Sequence, residues 1–308
     1  MTALTRYLAF RRTLPPRPAL ESLTVHARGL EFAVYRTPAV GSAPPLLCIN
    51  GGLLFDHRLL WPALAPLATH RQLIFYDQRG RGRSETPPGH LASRIEYDAG
   101  DVDALRVALQ LPAWDVLGHS WGGGIAMLAA SASPNAVQRL VLVNAVGITS
   151  RWLPPLHSAA LARLTGAAHD TLAAFDTARL LSTDLAAHAD YAQRFFPAWF
   201  VDQEFARQVT PPVGTSVTGA AVAARLRRDG YDWTDRLGDL RAPTLVVHGA
   251  ADVLPLSEAT RTAEHLAATA SPVRVVPVAD AGHNPFWEAP DAFFAAVHAF
   301  LAEDPPLL

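Results

Sequence analysis

From residue 46 onward, short apolar runs alternate with longer segments of helical spacing, and that alternation limits the fold more than any other feature of the chain. The runs at 46–50, 73–77, 114–118 and 140–144 are about five residues long, largely apolar and closed by Gly, Asn or Asp, as strands covered on both faces are. Between them, 58–68, 98–111 and 121–132 read as helices. In the second, Val102, Leu105, Val107, Ala108 and Leu109 recur at helical spacing. Strands alternating with helices build βαβ units, so the class is α/β: a mostly parallel central sheet flanked by helices.

Ahead of this pattern, 23–28 and 31–36 predict a hairpin around Arg28-Gly29. The residues before them, rich in Pro and Arg, read as an arm. The alternation stops at Gly147. Residues 147–236 show no clear buried strand; they are Ala-rich, broken by Pro154-Pro155, Pro197 and Pro211-Pro212, and carry Trp152, Phe195, Phe196, Trp199 and Phe200. The pattern then resumes with strands at 243–249 and 273–278 and helices at 257–267 and 290–301. The expected organisation is one core domain, 1–146 and 237–308, interrupted after its sixth strand by a helical cap, 147–236.

Composition removes whole classes of chemistry. All 26 basic residues are Arg, so the chain has no Lys for a P-loop, a Schiff base or a Ser–Lys dyad. Cys48 is the lone cysteine, which excludes an intramolecular disulfide and a cysteine-based metal site. A net charge of −2 offers no basic field to nucleic acid or a membrane surface. Gly80-Arg81-Gly82 is not a dinucleotide fingerprint, because Glu85 stands where the third glycine belongs, and H-E-x-x-H is absent. The opening residues lack the apolar run of about 7–15 that a signal peptide needs. A cytoplasmic location is the expectation.

The chemistry concentrates at Gly118-His119-Ser120-Trp121-Gly122, a G-x-S-x-G between a predicted strand and a predicted helix. A sharp turn there displays the Ser120 hydroxyl above the sheet, and the Trp121 amide, at a helix start, faces developing negative charge. A serine needs a base, and the base an orienting acid. On this scaffold the chain order is Ser, acid, His. Asp252 follows the strand at 243–249 and His283 the strand at 273–278, both at carboxyl ends, where open α/β sheets place their ligands. His119 reads as support for the turn, His248 as a buried neighbour, His57 as a pocket wall, and Asp77 as a brace for the loop after it. The second oxyanion donor is expected from Asn50-Gly51-Gly52-Leu53, with the Gly52 amide as first choice and Leu53 beside it. Arg79, Arg81 and Arg83 read as a loop braced by carboxylates and carbonyls.

With these residues in place the chain resembles α/β-hydrolase-fold enzymes, most of all the proline iminopeptidase-like group. The matching segments are Asn50-Gly-Gly-Leu53, Asp77-Gln-Arg-Gly-Arg-Gly-Arg-Ser84, Gly118-His-Ser-Trp-Gly-Gly123, His248-Gly-Ala-Ala-Asp252 and Ala281-Gly-His-Asn-Pro285. The resemblance implies the α/β-hydrolase fold, a catalytic triad and a helical cap that sets specificity. Relatives that dehalogenate or open epoxides carry Asp where Ser120 stands. Two positions depart from the group: Asn50 replaces its usual His, and His119 stands where prolyl iminopeptidases carry Gly. The resemblance also implies that cap carboxylates hold a substrate's cationic N-terminus, and Asp202 and Glu204 are the expected pair.

The expected protein is therefore a serine hydrolase that uses Ser120, Asp252 and His283. Its first expected substrate is a prolyl peptide or amide; a small ester or lactone is the alternative, and a non-catalytic small-molecule receptor the distant one. Neither cofactor nor metal is expected, and the partner is a small-molecule substrate.

Overall fold

The computed structural model describes residues 1–269 and 271–303. Eight strands form one sheet: β1 (Glu21–Ala27), β2 (Leu30–Arg36), β3 (Leu46–Ile49), β4 (Leu73–Tyr76), β5 (Trp114–His119), β6 (Val137–Val143), β7 (Thr244–Gly249) and β8 (Val273–Val278). Their order is β1-β2-β4-β3-β5-β6-β7-β8. The β1–β2 hairpin and the β2–β4 pair are antiparallel, and every pair from β4 to β8 is parallel.

The helices are α1 (Ala3–Thr13), α2 (Ile95–Ala108), α3 (Trp121–Ala132), α4 (Leu153–Arg163), α5 (Gly166–Ala173), α6 (Leu185–Phe195), α7 (Gln203–Gln208), α8 (Val217–Asp229), α9 (Leu256–Ala268), α10 (Pro285–Glu288) and α11 (Pro290–Ala302). Period-two alternation divides the strand side chains between two layers. Val116 and Val246 join Val102 and Leu105 of α2, Ile125 of α3 and Leu266 of α9. Leu117, Val141, Leu245 and Val247 join Phe293, Val297 and Phe300 of α11. Both faces of strands β3 to β7 are thereby kept dry, which is why these read as apolar runs, while the edge strands β1 and β8 are largely exposed.

Two local expectations are corrected. The arm at the N-terminus holds a helix, α1, capped by the Thr2 hydroxyl and ended before Pro15-Pro16. Its amides at Ala3 and Leu4 donate to Asp202 Oδ2 at 2.9 and 3.4 Å. Residues 58–68 form no α-helix but two 3-10 turns, His57–Leu59 and Ala65–Thr69. Pro62 and Pro66 deny the segment two backbone donors and crowd the preceding turn.

The chain between β6 and β7 carries α4 to α8 and leaves and rejoins the sheet through a narrow neck. There Ser150 N–H donates to Tyr231 O and Trp233 N–H to Ile148 O, both at 2.9 Å. The Tyr231 hydroxyl ties the neck to the sheet end by donating to Gly147 O at 2.9 Å.

Candidate active site

The turn from β5 into α3 places Ser120 at φ 55° and ψ −122°, a conformation that L-residues rarely adopt. Three backbone bonds hold it: Ser120 N–H to Val143 O at 3.0 Å, and Gly123 and Val146 N–H to Ser120 O at 2.9 and 3.2 Å. The turn is possible because Gly122 has no side chain; a Cβ there would lie 2.1 Å from Ile49 O.

Asp252 and His283 come from the loops after β7 and β8 and meet with His283 Nδ1 2.7 Å from Asp252 Oδ2. Asn144, at the end of β6, completes the arrangement. Its amide donates to Asp252 Oδ2 at 2.7 Å and to Gly282 O at 3.1 Å. Leu254 N–H donates to Asp252 Oδ1 at 3.1 Å. Burial works against the Asp252 carboxylate, yet the neighbouring His283, His248 and Asn144 together hold its pKa below the usual value. The carboxylate is thus suited to fix the imidazole's tautomer.

His283 is gripped from the insertion side. Its N–H donates to Trp199 O at 2.9 Å, and its ring stacks on that of Trp199 with centroids 4.0 Å apart. Glu288 performs a matching task one residue away. Its buried carboxylate accepts from Gly282 N–H at 2.7 Å through one oxygen, and from Val201 and Asp202 N–H at 2.7 and 3.2 Å through the other. Burial pushes the Glu288 pKa up to about 7, with the three amides resisting. Among the described residues no direct hydrogen bond joins Ser120 Oγ to His283. Such contacts commonly close only once substrate is bound.

The loop after β3 runs against Ser120: a Cβ on Gly51 would lie 2.5 Å from Ser120 Cβ. Asn50, in the place of the group's His, donates from its side-chain amide to Gly51 O and Phe55 O at 3.1 and 3.3 Å, so it still holds the turn. Beneath the loop, buried Arg81 donates to Leu53 O at 2.8 Å while paired with Asp98 at 2.7 Å, and Arg79 pairs with Asp101. These contacts describe the bracing expected of Arg79 and Arg81; the Arg83 side chain is exposed, and only its amide, donating to Asp77 Oδ2, takes part.

A cleft opens over Ser120. Gly52, Leu53, Trp121, Ser120 and His283 all line it. The rest of its wall is mostly apolar, including Phe55, Trp152, Leu156, Phe195 and Trp199, with Tyr191 and Arg227 among the polar exceptions.

Asp202 and Glu204 are not in this cleft. Asp202 caps α7, accepting from Glu204 and Phe205 N–H, and its other oxygen takes the amides of α1. Glu204 is exposed and paired with Arg207. The expectation that these carboxylates receive a substrate amine is corrected: helix capping and a neighbouring arginine have engaged both.

The other histidines separate as follows. His119 Nε2 lies 3.0 Å from His283 O, and burial, then the neighbouring His283, bring its pKa down to about 3, so it is a neutral prop. His248 Nε2 lies 2.9 Å from Leu254 O, fixing the loop that carries Asp252. His57 lies off the cleft wall, stacked on Tyr35 and with Nδ1 2.8 Å from Asp77 Oδ1. Asp77 also accepts from Tyr35 and from Arg83 N–H at 3.1 and 2.9 Å. The Asp56–His57–Asp77 group is therefore an internal brace whose acceptors are already in use.

Sequence reading missed Asn144, Glu288 and Arg227. Asn144 closes a strand next to that of Ser120, which was a usable signal. Glu288 and Arg227 had none, because Val201, Asp202 and Tyr191 reach them only in the tertiary fold.

The family described as alpha/beta hydrolase fold matches residues 44–290. A proline iminopeptidase of Lactiplantibacillus plantarum is 30% identical over 223 residues, covering 68% of this chain and 76% of that one. Among solved structures, the enol-lactonase of Burkholderia xenovorans LB400 superposes with a TM-score of 0.67 at 24% identity, over 91% of this chain and 100% of that one. The proline iminopeptidase of Mycobacterium smegmatis gives 0.65 at 23% identity, over 91% and 97%. The chain belongs to the α/β-hydrolase fold family and is a hydrolase. Within that family it falls in the proline iminopeptidase-like group. Among the described residues, no helix is long and apolar enough to cross a membrane.

Proposed function

We propose that the chain hydrolyses small carboxylic esters or lactones through an acyl-enzyme on Ser120. In this reading Ser120 Oγ attacks the carbonyl carbon as His283 takes its proton, and Asp252 stabilises the imidazolium. The amides of Trp121 and Gly52 receive the oxyanion, each donor worth about 3–4 kcal/mol in comparable sites. His283 then protonates the leaving oxygen, and water repeats the sequence to release the acid. The helices of residues 147–236 act as the cap that shapes the pocket.

The observation that carries the ester reading is the wall of the cleft. It is aromatic and aliphatic, it contains Arg227, and no carboxylate belongs to it among the described residues. A cationic N-terminus entering an apolar, partly enclosed site needs an anion there, and finds a guanidinium. A second reading, prolyl-peptide hydrolysis, draws on the proline iminopeptidase relative named above.

The test is paired turnover of a short-chain aryl ester and a prolyl anilide by wild type and Ser120→Ala. The expected result is ester turnover by wild type alone, with the anilide untouched. Anilide turnover that depends on Ser120 would install the second reading. Full ester turnover by Ser120→Ala would remove the acyl-enzyme.

A further inference from the structure

The buried arginines of this protein are paired with carboxylates. Arg71 and Arg139 share Asp115, Arg79 has Asp101, and Arg81 has Asp98. Arg227 differs. It extends from α8 into the wall of the cleft that holds Ser120 and His283. Among the described residues no carboxylate pairs with it. The group that favours its charge is the phenol of Tyr191, over whose ring its guanidinium carbon lies at 5.3 Å from the centroid.

Asp184 exerts a charge effect on His188, but among the described residues no carboxylate does so on Arg227. His188 lines the same wall, with Nε2 2.9 Å from Ser182 O. His157 stands behind Tyr191, its Nδ1 3.3 Å from the phenol oxygen. A guanidinium stays charged throughout the physiological range, and its planar fork of donors matches the two oxygens of a carboxylate. An unpaired one in a largely apolar cleft is a vacancy for an anion.

We infer that Arg227, with Tyr191 and His188 beside it, is a recognition site for a carboxylate, and that the natural substrate is an ester or lactone carrying a second, ionised carboxylate away from the bond that is cut. This inference rests on the ester reading and narrows it. Burial lowers the Arg227 pKa, and Arg227 in turn helps depress those of His157 and His188 after burial has done most of it. Both effects describe a cationic corner awaiting a counter-ion. The same corner repels an ammonium, which is the charge a prolyl peptide would bring.

The experiment compares the 4-nitrophenyl half-ester of adipic acid with its neutral methyl diester on wild type, Arg227→Gln and Arg227→Lys, with melting curves confirming that each variant is folded. The readout is the ratio of kcat/KM for acid over neutral ester. In wild type it should exceed one by about tenfold or more, the usual worth of a charge-assisted hydrogen bond. It should collapse in Arg227→Gln, mainly through KM, and partly return in Arg227→Lys. A ratio that Arg227→Gln leaves unchanged would overturn the inference. The second arm needs no turnover: free adipate should protect Ser120 from a fluorophosphonate probe in wild type and not in Arg227→Gln. Protection with no ester turnover would keep the anion site and discard the ester reading. Equal labelling with and without adipate in wild type discards the site.

Discussion

Replacing Glu288 by Gln tests whether a buried acid without a cationic partner stitches the loop that carries His283 to the segment that carries Trp199. The ordinary carboxyl value is 4.5, and burial raises this one to about 7 in the fold. Between those values the folded state holds more protons than the unfolded chain. Stability therefore falls as pH rises through the window and levels off above it. The interval corresponds to about 3 kcal/mol at full extent. For a chain of this size that is roughly 5 °C in melting temperature. Gln at 288 keeps the shape and one acceptor but does not titrate. His119 and His248 slope the other way, since burial lowers their values and stability is lost as pH falls, but wild type and variant share them. The difference between the two melting curves thus isolates Glu288. Thermal unfolding from about pH 5 to pH 8.5 should show the variant gaining on wild type by several degrees as pH rises. A constant gap across that range would mean that Glu288 titrates as an exposed acid does, and the account of the clamp would be wrong.

Three further outcomes are expected. Asn144→Ala removes the donor 2.7 Å from Asp252; loss of one charge-assisted hydrogen bond should lower kcat about 10- to 100-fold with KM little changed, measured by steady-state kinetics. Gly51→Ala would set a Cβ 2.5 Å from Ser120 Cβ and 2.7 Å from His119 O; displacing Ser120 should cost about 100-fold in turnover and slow fluorophosphonate labelling in step. Arg81→Met strips the partner from Asp98, whose pKa burial has already raised to about 6. Urea unfolding should show a loss of about 3–5 kcal/mol, larger at pH 8 than at pH 5.5 because the orphaned acid is more nearly neutral at the lower pH.

What could be read in the sequence was whatever is local. Strands β3 to β7 announced themselves because burial on both faces leaves little room for polar side chains, and the eight runs fall close to where they were expected. Ser120 was legible because a strained turn between strand and helix demands small neighbours at 118 and 122. Asp252 and His283 were legible because each follows its strand at once. Residues 58–68 misled because apolar content suggested a helix that Pro62 and Pro66 forbid. Asp202 and Glu204 misled for the opposite reason: their charge suggested a ligand, while the ligands of Asp202 are the amides of α1 and α7, one set 198 and 199 residues away. Glu288 and Arg227 draw their meaning from groups that only the tertiary fold brings near, or fails to bring near. No periodicity encodes that.

The neck at Ile148, Ser150, Tyr231 and Trp233 has a consequence for how such a protein changes over time. A chain that departs and returns through a doorway one hydrogen bond wide puts almost no constraint on how much polypeptide lies beyond it. Doubling the excursion adds only about 0.6 kcal/mol of closure entropy, and the ends of β6 and β7 stay where they are. Mutation, insertion or outright replacement beyond the doorway can therefore remodel what reaches the serine while the machinery below is inherited unaltered. The graft carries obligations. Whatever replaces the helices must still offer a ring and a carbonyl to His283, two amides to Glu288 and a hydroxyl to Gly80 O, because stitches of this kind are where the two parts depend on each other.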